Sequence, residues 1–295
     1  MLGVSCLVFF LIHLVPGDPV EVMLGESAQL GDRVALRSVL GLDQALPVQL
    51  AHYLLGLASG DLGQSLHSHR PVWELLRERI PATAELAGAA LAIALLVAIP
   101  LGVIAARRRG SYWDRGSMAL ALLGLSLPNF WLGPLLILTF SVGLGWLPVS
   151  GRETAASLVL PAITLGTGMA AILARMVRAA LLEVLGEDYI RTARAKGLSP
   201  TRVVWRHGLP NAALPIITLI GLQLGALLGG AVITETVFSW PGLGSLMVEA
   251  INRRDYPVVQ GAVLLISLSY VVVNTCTDLL YARLDPRLCL GAKGG

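Results

Sequence analysis

Residues 188–215 read DYIRTARAKGLSPTRVVWRHGLPNAALP, a charged, helix-prone stretch set between two long apolar segments. In so apolar a chain, a stretch like this lies on one side of a bilayer. From Asp188 a first short helix is predicted. It closes on Arg191, Arg194 and Lys196, and Gly197 can take the left-handed conformation that ends it. After Leu198, Ser199 offers an N-cap oxygen and Pro200 a pre-set first helical residue. A second short helix then runs to about His207, where Gly208 stops it. The expectation is helix–Gly–helix lying across the membrane surface, a shape suited to docking onto another protein.

The rest of the chain supports the membrane setting. Of 295 residues 55% are hydrophobic and only 14% charged, and the mean hydropathy is +0.72. The apolar runs are too long for a soluble core, which points to an all-α integral membrane protein. Cys6, Cys276 and Cys289 lie in or beside apolar stretches without CxxC or Cys/His spacing, so they read as small buried hydrophobes. Neither a resident metal nor a nucleic-acid partner is expected.

Six transmembrane segments are expected, at residues 1–15, 82–106, 117–142, 156–181, 212–237 and 258–282. The first is short for a span of about 20 residues. It lacks the charged leader and cleavage site of a secretory signal, and a late start codon or a lost extension is the expectation. Between the first two segments, residues 16–81 are expected to form an extracytoplasmic loop region, broken by Asp43, Pro47, Gly60, Asp61, Gly63 and Pro71. The core of five helices covers 82–282 and contains the polar loop 183–211, and 283–295 is a tail. Loops 107–116 and 183–211, the tail, and Arg175 and Arg178 together hold 14 Arg and Lys, against six acids on that side with Asp278 of the last span included; the opposite side has eight Arg against thirteen acids. The positive-inside rule therefore places both termini, Arg107–Arg109 and the helix–Gly–helix loop in the cytoplasm.

Several residues stand out within or beside these spans. Gly221, Gly225 and Gly229 recur at i, i+4 and i+8, so their face allows close backbone approach. It reads as tight packing, and as a face where helices could slide. Glu235, at the outer end of the same span, could face a cavity and meet an ammonium group, but snorkelling to the interface is favoured. Glu85 carries the same choice. Phe238 and Trp240 are expected at interfacial depth beside a tight turn at Pro241, Gly242 and Gly244. Pro128-Asn129 and Gly133-Pro134 break the third span, as a transport pathway would tolerate. Arg175 and Arg178, one turn apart, read as a solvated inner end and not as a substrate clamp. His67 and His69 read as solvated loop histidines, since an H-x-H pair with no third ligand is weak evidence for a metal.

The stretch 188–215 resembles the cytoplasmic EAA-type coupling loop of bacterial ABC-transporter permeases. Ala193, Ala195 and Gly197, then Leu209, Asn211 and Pro215, carry the likeness, while Thr192 replaces the usual acidic residue. The wider string TARAKGLSPTRVVWRHGLPNA is similar to the dipeptide, oligopeptide and nickel permeases of the binding-protein-dependent branch. Further blocks resemble the same family: GLASGDLGQSL with PVWELLRERIPAT, SLPNFWLG, ITETVFSWPGLG, and the YARLDPR ending at Arg287. The resemblance implies that the loop sits in a cleft of an ATP-binding subunit. It implies, as partners, a second homologous permease subunit, two ATP-binding subunits and an extracytoplasmic substrate-binding protein, besides membrane lipid. It also implies alternating access, with import as the direction and a di- or oligopeptide as cargo. Nickel, a metal chelate, glutathione or an opine stay open.

What is missing matters as well. No G-x-x-x-x-G-K-[ST] occurs, and neither Lys196 nor Lys293 follows a phosphate-cradling loop, so this chain is not expected to hydrolyse ATP alone; the resemblance implies that ATP and Mg²⁺ sit on partner subunits and that this chain binds no cofactor. With no HExxH or GxSxG, catalytic residues are not expected. A bare basic loop binding anionic lipid would not need the Gly and Ser-Pro at these spacings. An ion-coupled secondary transporter would need carboxylates facing a cavity and inverted repeats. A channel would need a legible filter, and a membrane scaffold remains a further alternative.

Overall fold

A computed structural model describes residues 2–14, 20, 31, 37–38 and 43–284. Most of 16–42, Cys289 and the Asp285–Arg287 end of the last family-like block lie outside the described residues. Among the described residues the chain is helical between turns, with one isolated bridge pairing Gln64 and Pro71. The helices are α1 (Leu2–Leu14), α2 (Leu46–Ala58), α3 (Val72–Arg107), α4 (Tyr112–Ser126) and α5 (Asn129–Leu136). They continue with α6 (Val159–Val184), α7 (Asp188–Ala195), α8 (Pro200–Gly208), α9 (Ala213–Val237), α10 (Leu243–Asn252) and α11 (Tyr256–Leu284). A π-helical stretch, Ile137–Gly143, continues α5.

Among the described residues three helices are long and apolar enough to cross a membrane: Val72–Arg107, Ala155–Val184 and Tyr256–Leu279. The α4/α5 pair bends by 99° and the α8/α9 pair by 60°, so the described residues hold up to five spans if each bent pair counts as one. The 13 residues of α1 fall short of the roughly 20 that a bilayer needs. Helix α3 begins at Val72, ten residues before the apolar run that marked it, because the charged turns WELLRER are helical too. The sequence pattern had assigned those turns to the extracytoplasmic loop region.

The chain divides into two compact units, residues 1–83 with 241–269, and residues 84–240 with 270–295. In the first unit Val72 and Leu76 are fully buried and pack with Leu243, Leu246, Ala250, Val258 and Ala262. A Cβ on Gly261 would lie 2.6 Å from Val72 Cγ1, so α11 meets the start of α3 without a side chain between them. Asp255, 5% exposed, accepts hydrogen bonds from Ser65 Oγ and from the Leu66 amide at 3.1 Å, tying the 64–71 loop to the start of α11.

The second unit is built around α6, whose residues are buried on most sides, from Leu160 to Leu181. Lipid is as apolar as leucine, so burial alone does not hold such helices together and close approach does. Gly166 would place a Cβ 2.7 Å from the Ala90 carbonyl, and Gly102 would place one 2.6 Å from Val177. These two contacts run in the same order along both helices, so α3 and α6 are parallel. Gly124 beside Thr167, with Asp114 bonded to Arg178, makes α4 antiparallel to α6. Helix α9 is antiparallel too, with Ala212 and Ile216 clustering near Val177 and Leu181 while Gly230 lies by Leu165. Gly221 against Thr277 and Gly225 against Tyr270 turn α11 back again. Helices α3, α4, α6, α9 and α11 thus alternate in direction, as successive crossings must.

Candidate functional site

The α7–α8 segment owes its shape to a few local interactions. The Gly197 backbone is left-handed, with φ +79, and its N–H reaches the Arg194 carbonyl at 2.9 Å. Ser199 caps the next turn by accepting from the Arg202 amide at 3.4 Å, with Pro200 as first helical residue. One α-helical turn, Pro200–Arg202, then widens into a π-helix, Val203–Gly208. Asn211 Nδ2 donates to the His207 carbonyl at 2.6 Å beyond it. Ile190, Ala193 and Val203 form a small core with Leu185 and Leu198 packed against it. Burying the Ile190 side chain contributes about 2 kcal/mol if its alternative is water. Burial and the neighbouring Glu187 raise the Tyr189 phenol above its usual range.

Around that core Asp188, Arg191, Arg194, Ala195, Lys196, Gly197, Ser199 and Pro200 are exposed, and so is Trp205. Leu198 and His207 are half-buried. Ala193 points the other way, so among the residues expected at the docking face it holds the two helices together. The Asp188–Arg191 pair, at 3.2 Å, is a surface contact with 94% and 75% of the side chains exposed. The result is an exposed, basic surface.

Behind it lies an interaction the sequence did not reveal. Arg178 Nε and Nη2 donate to the two Asp114 carboxylate oxygens at 2.7 and 2.9 Å. The Gly110 amide gives Asp114 a third bond at 2.9 Å, and Ser111 caps α4. The expectation of a solvated inner end is corrected for Arg178: its guanidinium is bidentate on a side chain only 7% exposed and ties α4 to α6. Signals at positions 114 and 178 are weak separately, since 64 residues separate them and no local pattern pairs them.

At the other end of the second unit, Arg152 pairs with Glu85 at 2.6 Å, and its guanidinium lies 5.8 Å from the Trp240 ring centroid. The Gly151 amide donates to the Phe238 carbonyl at 3.0 Å. Phe238 and Trp240 are fully buried within the protein. Ser239, with φ +48, turns the chain back, and Gly133 lets the Phe238 ring within 3.1 Å of where its Cβ would be. Glu235 is fully buried as well, so its carboxylate does not snorkel. Pro128 precedes α5 at the bend, and Asn129 is its first residue. Gly221 and Gly225 meet Thr277 and Tyr270 so closely that an added Cβ would lie 2.3 and 2.4 Å away. Gly229 has nothing within 4 Å, so the expected stripe packs at two of its three positions. His67 and His69 are exposed, and the described residues hold no cluster of three metal-ligating side chains.

Long apolar helices that alternate in direction define a multi-pass membrane protein. The chain belongs to the family of binding-protein-dependent transport system inner membrane components, whose main domain matches residues 98–289 and whose N-terminal domain matches 1–87. It is thus a multi-pass inner-membrane protein. It is 48% identical, over 97% of this chain and 94% of the relative, to the di/tripeptide transport system permease protein DppB of Pseudomonas aeruginosa. The dipeptide transport system permease DppB of Escherichia coli K12 is 46% identical over the same shares. The glutathione transport system permease GsiC of Salmonella choleraesuis is also 46% identical, over 98% of this chain and 94% of its own length. Among solved structures, an inward-facing MetNI methionine ABC transporter chain superposes with TM-score 0.62 at 23% identity. It covers 72% of this chain and 97% of that one, a likeness of fold.

Proposed function

We propose that this chain is the permease subunit of an ATP-driven importer of di- and oligopeptides. The observation that carries the reading is the identity of 46–48% to dipeptide and di/tripeptide permeases over 94% of their length. The α7–Gly197–α8 surface supports it. Its turn is conformationally fixed and its polar face is open, as a lever seated in another subunit requires. On this reading six helices span the membrane, α1 completing the set, with both termini and residues 183–211 in the cytoplasm. Positive-inside charge and the alternating helix directions agree with that topology.

The chain would work with a second homologous permease subunit, two ATP-binding subunits and an extracytoplasmic substrate-binding protein. ATP-driven closure of the nucleotide-binding pair would move α7–α8 as one body and favour the outward-open state through contacts that differ between the states. Hydrolysis would reset it. Asp188, Arg191, Arg194, Ala195, Lys196, Gly197, Leu198, Ser199, Pro200 and His207 would form the coupling surface, with Ala193 holding it from behind. Gly221, Gly225, Gly229, Glu235, Pro128 and Asn129 are the packing and pathway candidates.

Glutathione, itself a tripeptide, is the second reading, supported by the glutathione permease at 46% identity. Nickel has only the broader family behind it. The test is to purify the tagged chain with the products of its neighbouring genes and measure ATP hydrolysis with binding protein loaded by dipeptide, glutathione or Ni²⁺. Stimulation by dipeptide is expected. A chain that associates with no ATP-binding subunit would overturn the reading.

A further inference from the structure

The turn joining α3 to α4 carries Arg107, Arg108, Arg109 and Arg115, all exposed. None of the four forms an ion pair among the described residues. The only acid in the turn, Asp114, is turned inward and taken up by Arg178 and the Gly110 amide. The four arginines therefore keep their guanidinium groups free of a direct carboxylate contact. The turn is also built to hold its shape. Gly110 is left-handed at φ +77, and Ser111 Oγ donates to the Arg108 carbonyl at 2.6 Å.

Two large aromatics flank these arginines on the outside of the protein. Tyr112 is 90% and Trp113 61% exposed, and the Arg108 guanidinium sits 4.9 Å from the Trp113 ring centroid. An exposed tryptophan beside guanidinium groups is an arrangement suited to the headgroup level of a bilayer. Helix α4 continues from there with Leu120, Leu122 and Leu123 more than half exposed. Roughly 10–15 Å of helix separates the arginines from those leucines, at 1.5 Å per residue. The surface thus passes from cationic, through aromatic, to hydrocarbon within the depth of one lipid leaflet.

We propose that residues 107–115 bind the phosphate headgroup of an anionic phospholipid whose acyl chains lie along the exposed face of α4. A soluble phosphate ion would satisfy the guanidinium groups but not the aromatic and leucine surface, and a soluble acidic protein would leave the leucines without an apolar partner. The inference is independent of the cargo, and its failure would leave the transport reading untouched.

The test uses the full chain in detergent micelles doped with equal phosphatidylglycerol and phosphatidylcholine, with retained lipid read by native mass spectrometry. Preferential retention of phosphatidylglycerol is expected. Each arginine removed should lower that preference about fivefold. Arg107→Gln/Arg108→Gln/Arg109→Gln together should abolish it, and Trp113→Ala should weaken retention of both lipids. Should the triple variant not insert, Arg109→Gln alone gives the graded test. An unchanged preference in these variants overturns the site. Release of phosphatidylglycerol by millimolar inorganic phosphate would make it a site for a free anion. If wild type shows no preference and adding the ATP-binding subunits shields the turn instead, it is a protein contact and the lipid site is wrong.

Discussion

Two aspartate–arginine pairs on one side of this protein use the same chemical groups to opposite ends. Asp188–Arg191 lies on the surface of α7 as a single contact at 3.2 Å between side chains 94% and 75% exposed. Asp114–Arg178 is bidentate, 7% and 29% exposed, and draws a third bond from a backbone amide. Water screens the first pair, whose contribution to stability is small. The second has shed most of its water, so each partner depends on the other and removing one strands a charge. The exposed pair leaves its charges available to another molecule, and the enclosed one spends them joining α4 to α6. Enclosure decides whether an ion pair is structure or surface.

The contrast is broken most sharply at the enclosed pair. Arg178→Ala or Asp114→Ala should cost about 3 kcal/mol, near the low end for a broken enclosed pair because Arg178 keeps some exposure. A fall in melting temperature measured in detergent checks this, and the exchanged pair Asp114→Arg/Arg178→Asp should recover part of it. Arg178→Lys should recover less than native because lysine lacks the planar fork. A melting temperature unchanged in Arg178→Ala would show that the pair is not structural.

Gly197→Val comes next. A β-branched residue at positive φ costs about 1–2 kcal/mol, too little to prevent insertion but enough to distort the α7–α8 turn. Peptide-stimulated ATP hydrolysis should be lost while membrane insertion persists; uptake at the native rate would rule out α7–α8 as the lever. Arg191→Glu or Arg194→Glu should weaken association with the ATP-binding subunit more at low salt than at high, because exposed charges are screened. Association insensitive to both charge and salt would place the contact elsewhere. The smallest effect is expected for Asp188→Asn, within about 0.5 kcal/mol in the same melting experiment.

The α7–α8 geometry was legible because local chemistry sets it: Gly197 for the positive φ, Ser199 for the cap, Pro200 for the first turn. Ala193 was legible as part of the motif but not as an inward-facing residue, since its direction depends on Val203 across the turn. Asp114 with Arg178, and Glu85 with Arg152, join distant parts of the chain, and no local rule pairs them. The burial of Phe238 and Trp240 was not legible, since it depends on the turn at Ser239 and on the room that Gly133 leaves. Helix α3 outran its apolar signal because its first turns are amphipathic, packing Val72 and Leu76 inside while Glu74 and Glu78 stay outside. Span three was expected to be broken at Pro128, and the bend is there; its 99° size was not legible, because a proline removes a donor without fixing an angle.

The two backbone-depth contacts between α3 and α6, at Gly166 and at Gly102, have a mechanical consequence. They lie eleven residues apart along α6, from Gly166 to Val177, or about 16 Å of helix. At each, one helix rests almost directly on the other, with no long side chain between to change rotamer and absorb a displacement. A torque applied at one end of the pair is therefore delivered at the other with little slack. The parallel pair behaves as a stiff strut, and bending is left to the breaks at Pro128 and between α8 and α9.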